Sequence, residues 1–107
     1  MTANLVIWKW AEDLADAKAR RKRKLKVSEA AELILHDSGD VLTSPFPQQP
    51  LIDAIDAAFP APEDDRPFVV ECYPQRIVVN VTMASRIEVI SVIGPLANRL
   101  GFNAAEA

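Results

Sequence analysis

The amino-acid sequence predicts an α+β fold in which helices pack on one face of a single antiparallel sheet of three or four strands. The first observation is a pair of β-branched and aromatic segments, Phe68 to Tyr73 and Arg76 to Thr82, separated only by Pro74-Gln75. Two such segments joined by a two-residue turn predict an antiparallel hairpin. The second observation is a set of segments with apolar residues at helical spacing before and after this hairpin. Helices laid on a sheet bury the apolar surface of both.

Length and composition predict one domain over residues 1–107. The chain has 107 residues, of which 50% are apolar and 25% charged, as in ordinary globular proteins. These values exclude a large multi-domain enzyme and a wholly disordered chain. No apolar run approaches the ~18–20 residues that span a bilayer, and residues 1–4 lack the basic start of a secretory signal. A single cysteine excludes an internal disulfide. We therefore expect a cytoplasmic protein without membrane contact.

The first third of the chain predicts one strand and two helices. Leu5 to Trp10 is apolar, β-branched and aromatic, which favours a strand. Glu12 to Lys26 contains helix formers but few apolar residues, so we expect a helix only weakly held there, with Asp13 or Asp16 as its cap. Ser28 to Asp37 predicts a clearer helix that Ser28 caps and Gly39 follows.

The remaining elements are one helix before the hairpin and one after it. Pro50 to Phe59 carries an apolar stripe at helical spacing, and Pro60 ends it. The last helix spans Ser85 to Leu100, with a capping box of Ser85 and Glu88. Its predicted buried stripe is Ile87, Ile90, Ile93, Ala97 and Leu100, and Pro95 predicts a kink.

The end of the chain decides the number of strands. Residues 102–104 return as a short edge strand, or else Asn103 caps a terminal helical turn. The element order then fits the split βαβ pattern of a ferredoxin-like fold. Residues 11–67 form the first crossover, and the last helix forms the second.

Three segments resemble small bacterial proteins of largely unassigned function, some of which are similar to immunity partners of polymorphic toxins. They are the strand Val6-Ile7-Trp8-Lys9-Trp10, the helix from Pro50 to Phe59-Pro60, and the ending Leu96-Ala97-Asn98-Arg99-Leu100-Gly101-Phe102. The following Asn103-Ala104-Ala105-Glu106 departs from the acidic residue usual soon after that turn. The resemblance implies a ferredoxin-like fold and a protein-binding role, and it carries over no catalytic residue.

Charge is distributed unevenly along the chain. The net charge is −3, with 12 basic and 15 acidic residues. Seven of the basic residues fall in the segment 18–26, which we call the basic segment: Lys18, Arg20, Arg21, Lys22, Arg23, Lys24 and Lys26. The rest of the chain holds five basic and fifteen acidic residues, a net charge of −10. The basic segment is a solvated surface, a contact for an acidic protein, or a contact for phosphates. The acidic remainder disfavours nucleic acid.

Aromatic residues supply the second candidate contact. Trp8 and Trp10 share one face of the first strand, and Tyr73 lies on the expected matching face of the hairpin. On an open face these rings would anchor a protein interface, a second copy of the chain, or stacked bases. On a covered face they would belong to the core.

The chemistry of an enzyme is missing from the sequence. His36 is the only histidine and is expected near a helix C-terminus, where the dipole stabilises a charged imidazole. Cys72 is expected to be a small core residue. Glu63, Asp64 and Asp65 lack the spacing of a calcium loop, and three glycines in the whole chain leave no phosphate loop. We therefore expect no enzyme activity, cofactor or metal.

The sequence thus predicts a non-enzymatic protein-binding module, with a toxin-neutralising immunity protein as the specific form. A basic toxin would complement the acidic residues Asp53, Asp56, Glu63, Asp64 and Asp65. The predicted contact residues are Trp8, Trp10, Lys18, Arg20, Arg21, Lys22, Arg23, Lys24 and Tyr73. The alternatives are a small nucleic-acid-binding protein that uses the basic segment, and a homodimeric structural domain.

Overall fold

The computed structural model describes residues 2–36 and 39–107. The strands are β1 (Thr2–Trp10), β2 (Thr43–Ser44), β3 (Phe68–Tyr73), β4 (Arg76–Thr82) and β5 (Asn103–Glu106). The helices are α1 (Ala17–Lys22), α2 (Val27–Leu35), α3 (Gln49–Ala58) and α4 (Arg86–Arg99). Short 3₁₀ turns lie at Glu12–Leu14, Asp40–Leu42, Glu63–Asp65 and Met83–Ser85. None of the helices in the described ranges has the length and apolar character needed to span a membrane.

All five strands form one antiparallel sheet around β1. Residues 2–7 of β1 pair with β4, and residues 5–8 pair with β5. Since residues 5–7 pair with both strands, β4 and β5 lie on opposite sides of β1. The strand β3 pairs with β4, and the two-residue β2 pairs with Lys9 and Trp10 at the end of β1. The predicted α+β fold and the predicted hairpin are confirmed, and β2 is an additional short strand within the predicted crossover of residues 11–67.

Helices cover both faces of this sheet, so the prediction that they pack on one face is wrong. On the first face, Leu5 and Ile7 pack with Leu51 and Ile55 of α3 and with Ile93 of α4. On the second face, β1 packs against the 3₁₀ turn at residues 12–14 and against α2. The buried residues of that second cluster are Val6, Trp8, Trp10, Leu14, Ala30, Ala31 and Ile34. The run from Leu5 to Trp8 is apolar without interruption, which is typical of a strand buried on both sides.

Cover on the second face stops short of β3. The side chain of Val69 in β3 is 62% exposed. Asn80 of β4 lies opposite Asn4 of β1, and its side-chain amide donates a hydrogen bond to Oδ1 of Asn4 at 2.9 Å. Both side chains are half-buried, and the hydrogen bond between them offsets the cost of their partial removal from water. The second face is therefore covered over β1 and partly open to solvent over β3 and β4.

The first two helices, α1 and α2, differ in detail from the prediction. Instead of one helix over 12–26, a 3₁₀ turn and the six-residue α1 lie between Glu12 and Lys22. α2 begins at Val27 with Lys26 as its N-cap residue and no side-chain cap, so the cap predicted at Ser28 is wrong. The predicted end of that helix at Asp37 lies outside the described residues.

The predicted buried stripe of α4 is confirmed at Ile93 and Ala97, and Ile90 packs partly buried against the core, but Ile87 and Leu100 are exposed. Val89, Ile93 and Ala97 are fully buried, whereas Ile87 is 77% exposed. The helix has apolar residues on most of its circumference, so spacing alone does not select the buried side. The predicted capping box is also absent, because residues 83–85 form a 3₁₀ turn and Ser85 makes no side-chain cap.

The end of α4 aims the chain back onto the sheet. Gly101 has φ +87°, its N–H donates to Asn98 O at 3.0 Å, and the N–H of Phe102 donates to Ala97 O at 3.0 Å. These two bonds form a Schellman motif. Phe102 then packs on Phe46 with ring centroids 4.6 Å apart. Of the two predicted endings, the strand is correct, and it begins at residue 103.

Gly101→Ala is expected to destabilise the protein by about 1 kcal/mol, because alanine resists the left-handed conformation that this turn requires. Gly94→Ala is the matched control. It lies inside α4, and apart from its chain neighbours and the backbone of its own helix, no atom lies within 4 Å of the position that an added methyl group would take. That change is expected to alter stability by less than about 0.5 kcal/mol, because the gain in helix propensity is offset by crowding between the added methyl group and the ring of Pro95. Urea unfolding of both variants measures the two effects, and equal shifts would contradict the role assigned to the turn.

Candidate functional site

The two tryptophans are core residues. Trp8 is 0% exposed and Trp10 is 7% exposed, and their rings meet edge to face with centroids 5.2 Å apart. Leu14, Ala30 and Ile34 belong to the same buried cluster. The prediction that Trp8 and Trp10 contact a partner is therefore wrong, because a buried ring offers no surface for contact. The crossover between β1 and β3 supplies the cover.

Tyr73 lies at the end of β3, on the half-open part of the second face. Its hydroxyl donates a hydrogen bond to Oε2 of Glu71 at 2.8 Å. The guanidinium of Arg76 stacks on the ring, 3.9 Å from the centroid. Arg76 itself is 6% exposed and lies 3.9 Å from the carboxylate of Asp40. Tyr73 thus belongs to a local polar cluster at the hairpin turn.

Arg20 attaches the basic segment to the body of the protein. Its Nη1 donates to Leu14 O at 2.6 Å and to Ala15 O at 3.1 Å. Its guanidinium also lies 5.0 Å from the centroid of the Trp10 ring, a distance at which cation and ring attract each other. Since its guanidinium is engaged in these contacts, Arg20 stabilises the fold.

Arg23 makes a second attachment. Its Nη2 lies 2.7 Å from Oδ2 of Asp13, and both side chains are more than half exposed. Exposed pairs of this kind stabilise by less than about 1 kcal/mol. Asp16 adds a helix cap, since its Oδ1 accepts from the Lys18 N–H at 2.9 Å. Together these contacts hold α1 against the 3₁₀ turn that precedes it.

Five cations of the basic segment project into solvent, and we call them the basic ridge: Lys18, Arg21, Lys22, Lys24 and Lys26. Within residues 2–36 and 39–107, none of the five forms an ion pair. Five like charges within nine residues repel one another. A negatively charged partner would relieve that repulsion, so the ridge has the electrostatics of a contact surface for anions.

Lys24 has an unusual backbone conformation at the centre of the ridge. Its φ is 55°, the only positive φ of a non-glycine residue within the described residues. The N–H of Lys24 donates to Arg21 O at 3.0 Å, and the N–H of Leu25 donates to Arg20 O at 3.0 Å. This is the same Schellman motif as at Gly101, but lysine stands where glycine is preferred. The sequence contained no signal for this, because no glycine marks the turn.

The acidic residues are partly engaged within the fold. Asp56 pairs with Nη1 of Arg66 at 2.9 Å, and Asp53 accepts from Nε2 of Gln49 at 2.8 Å. Glu63, Asp64 and Asp65 form an exposed 3₁₀ turn. In the part of the chain that the structure describes, no group of acidic, histidine or cysteine side chains is arranged to hold a metal ion.

Cys72 and His36 lie at separate places on the surface. Cys72 is exposed, so its predicted place in the core is wrong, because it lies near the end of β3, an outer strand of the sheet. Its thiol nevertheless lies in a groove with Ile55 and Val70, where partial burial raises the pKa. His36 is the C-cap residue of α2, so its predicted place near a helix C-terminus is confirmed, and its Nε2 lies 3.2 Å from Oε1 of Glu32.

Comparison of the chain with family models, with curated proteins and with solved structures finds no match. The resemblance to immunity proteins therefore stays a prediction.

Arg20→Met is expected to destabilise the protein by about 1–2 kcal/mol, since it removes two hydrogen bonds to backbone carbonyls and the contact with Trp10. Arg21→Met is the matched control, because Arg21 lies next in the chain and its side chain donates no hydrogen bond to a carbonyl within residues 2–36 and 39–107. Its effect should stay within about 0.5 kcal/mol. Urea unfolding measures both, and tryptophan emission should change only in the first variant. Equal destabilisation would show that Arg20 is not an attachment point.

Alkylation of Cys72 should require a higher pH than alkylation of a cysteine in a short peptide. Because desolvation raises the pKa of the thiol, the reactive thiolate forms only at higher pH than in an unfolded chain. The rate of reaction with iodoacetamide should still be rising at a pH where a short cysteine peptide has reached its plateau. A plateau at or below that of the peptide would contradict the assigned environment.

Proposed function

We propose that this chain is a non-enzymatic binding module for another protein, and that the basic ridge contacts an acidic surface of its partner. The observation that carries the proposal is the separation of roles inside the basic segment. Arg20 and Arg23 bind the chain's own carbonyls and Asp13, whereas the five ridge cations have no acidic partner among the described residues. Unpaired charge on a fixed support favours rapid, selective association with an oppositely charged surface.

The conformation of Lys24 supports a functional role for the ridge. A lysine in the left-handed region costs about 1 kcal/mol relative to glycine. Local strain of this kind is typical of positions at which function constrains the residue. A cation at position 24 therefore has a cost in stability that a contact with an anionic partner would explain.

The attachment of α1 also supports binding. The bonds of Arg20 and the cap by Asp16 order the segment before any partner arrives. A preordered contact surface loses less conformational entropy on association than a disordered one. The ridge therefore combines net charge with a defined shape.

A protein partner is favoured over a nucleic acid by two observations. First, Trp8 and Trp10 are buried, so the aromatic platform on which single-stranded bases stack is not available. Second, the body outside the basic segment carries a net charge of −10 and repels phosphates that approach around the ridge.

The specific form that we propose is a toxin-neutralising immunity protein, on the resemblance of three segments described above. Such a protein would occlude the active surface of a toxin, and the ridge would contact acidic residues there. Within the same proposal, the fold is ferredoxin-like. The order β3, β4, β1, β5 of the four longer strands supports that topology, as do the helical crossovers from β1 to β3 and from β4 to β5.

Lys24→Gly is expected to make the protein more stable and its binding weaker. Glycine relieves the left-handed conformation, which should add about 1 kcal/mol to the free energy of unfolding. Loss of the charge should lower the affinity for the partner several-fold and flatten its dependence on salt. The control is Arg99→Gln, which removes one exposed positive charge at the end of α4. That variant should retain its affinity within about twofold.

The measurement begins with cross-linking of the full chain to its partner in a nuclease-treated extract, followed by calorimetric titration of the purified partner at several salt concentrations. A duplex and a single strand, each about two helical turns long, are titrated in parallel. Salt-dependent binding to the protein partner that Lys24→Gly weakens supports the proposal. Binding of either nucleic acid that the same change weakens, or no binding at all, overturns it.

A further inference from the structure

The outer edge of β3 is the feature that the proposed function does not use. Among the described strands, β3 pairs only with β4, so its other side has no strand beside it. It is six residues long and contains neither lysine nor proline, the residues that commonly protect an edge from pairing. Pro67 and Pro74 stand immediately outside its two ends and limit an added strand to this span.

The hydrogen-bond pattern shows which backbone groups point outward. The N–H of Thr82 donates to Pro67 O at 3.1 Å, which makes these opposed residues a hydrogen-bonded pair. Such pairs alternate along an antiparallel ladder, so residues 69, 71 and 73 direct their backbone groups to β4. The N–H and C=O groups of Phe68, Val70 and Cys72 point away from the sheet, and no described backbone group pairs with them.

A groove runs beside these groups. One cavity of about 180 Å³ is lined by Glu63, Asp64, Arg66 and the first half of β3. A second of about 110 Å³ lies between Val70 and Cys72 of β3 and Ile52 and Ile55 of α3. The groove thus offers apolar side chains next to a row of free donors and acceptors.

The rim of the groove is acidic. Glu63 and Asp64 are exposed and have no ion-pair partner within the described residues. The nearby cation, Arg66, is already occupied, since it donates to Asp56 Oδ1 and to Ala61 O, both at 2.9 Å. A bound segment that carries positive charge would therefore meet uncompensated carboxylates.

We propose that this edge binds an extended segment of another protein as an added strand. The segment carries apolar side chains at alternate positions, which enter the groove, and basic side chains near the acidic rim. Strand addition obtains affinity from main-chain hydrogen bonds and specificity from the alternate side chains. A second copy of β3 fits this chemistry poorly, because the only charged residue within β3 is Glu71. The site is separate from the basic ridge and does not depend on it.

The probe is a synthetic peptide with blocked ends and the sequence Arg-Val-Lys-Val-Arg-Val, titrated by fluorescence anisotropy. The control peptide has the same sequence with alternate amides N-methylated, so that it cannot complete a ladder. Val70→Pro removes an outward N–H and leaves the bonds to β4 intact. It should weaken binding at least about tenfold. Val69→Thr, on the exposed second face, is the matched control and should bind within about twofold.

A second variant, Glu63→Gln with Asp64→Asn, tests the charge without altering the edge. It should weaken peptide binding several-fold and reduce the effect of salt. This variant still tests the proposed site if Val70→Pro fails to fold. Lys24→Gly should leave peptide binding unchanged, which separates this site from the basic ridge.

Three results would overturn the proposal. The first is failure of the unmethylated peptide to bind, and the second is equal binding of both peptides. The third is a dimer of the wild-type chain in light scattering that Val70→Pro converts to a monomer, since this would assign the edge to a second copy.

Discussion

The structure depends on β1 being apolar on both of its faces. The unbroken run Leu5-Val6-Ile7-Trp8 is buried throughout, and a strand of this kind has to lie inside the molecule with neighbours on both edges and cover on both faces. The chain meets that requirement by placing α3 and α4 on the first face and α2 on the second. The long segment 11–67 between β1 and β3 supplies a helix to each of the two layers.

Much of the fold could be predicted because local patterns were strong. The hairpin from Phe68 to Thr82 has two β-branched segments and a two-residue turn, and the structure has the same bounds. The face that α2 covers could not be predicted, because an apolar stripe shows that a helix is buried and does not name its partner. For the same reason helical spacing includes Ile87 in the buried stripe of α4, although this side chain lies in solvent. Alternation along β3 places Cys72 on the apolar side of the strand, but it does not reveal that the strand is an edge and that this side chain is exposed.

The candidate site was predicted as a sequence segment but not as a surface. Charge counting finds the cations of residues 18–26. It cannot tell the two arginines that bind the chain itself from the five cations that project into solvent. That distinction depends on the carbonyls of Leu14 and Ala15, which the 3₁₀ turn positions to accept hydrogen bonds from Arg20. The left-handed Lys24 also follows from tertiary geometry, since the turn into α2 needs that conformation whatever residue stands there. A lysine at this position therefore conflicts with the preference of the turn for glycine, which has no Cβ.

The contact between Arg20 and Trp10 also has a spectroscopic consequence. Both tryptophans of the chain lie in the cluster beneath α1 and α2, and the β3 edge has none nearby. Indole emission responds to a cation close to the ring, so any event that shifts α1 alters the intrinsic fluorescence of the molecule. Occupancy of the acidic groove at the opposite side of β4 leaves that signal unchanged. Intrinsic fluorescence therefore reports binding at the basic ridge and does not report binding at the groove beside β3.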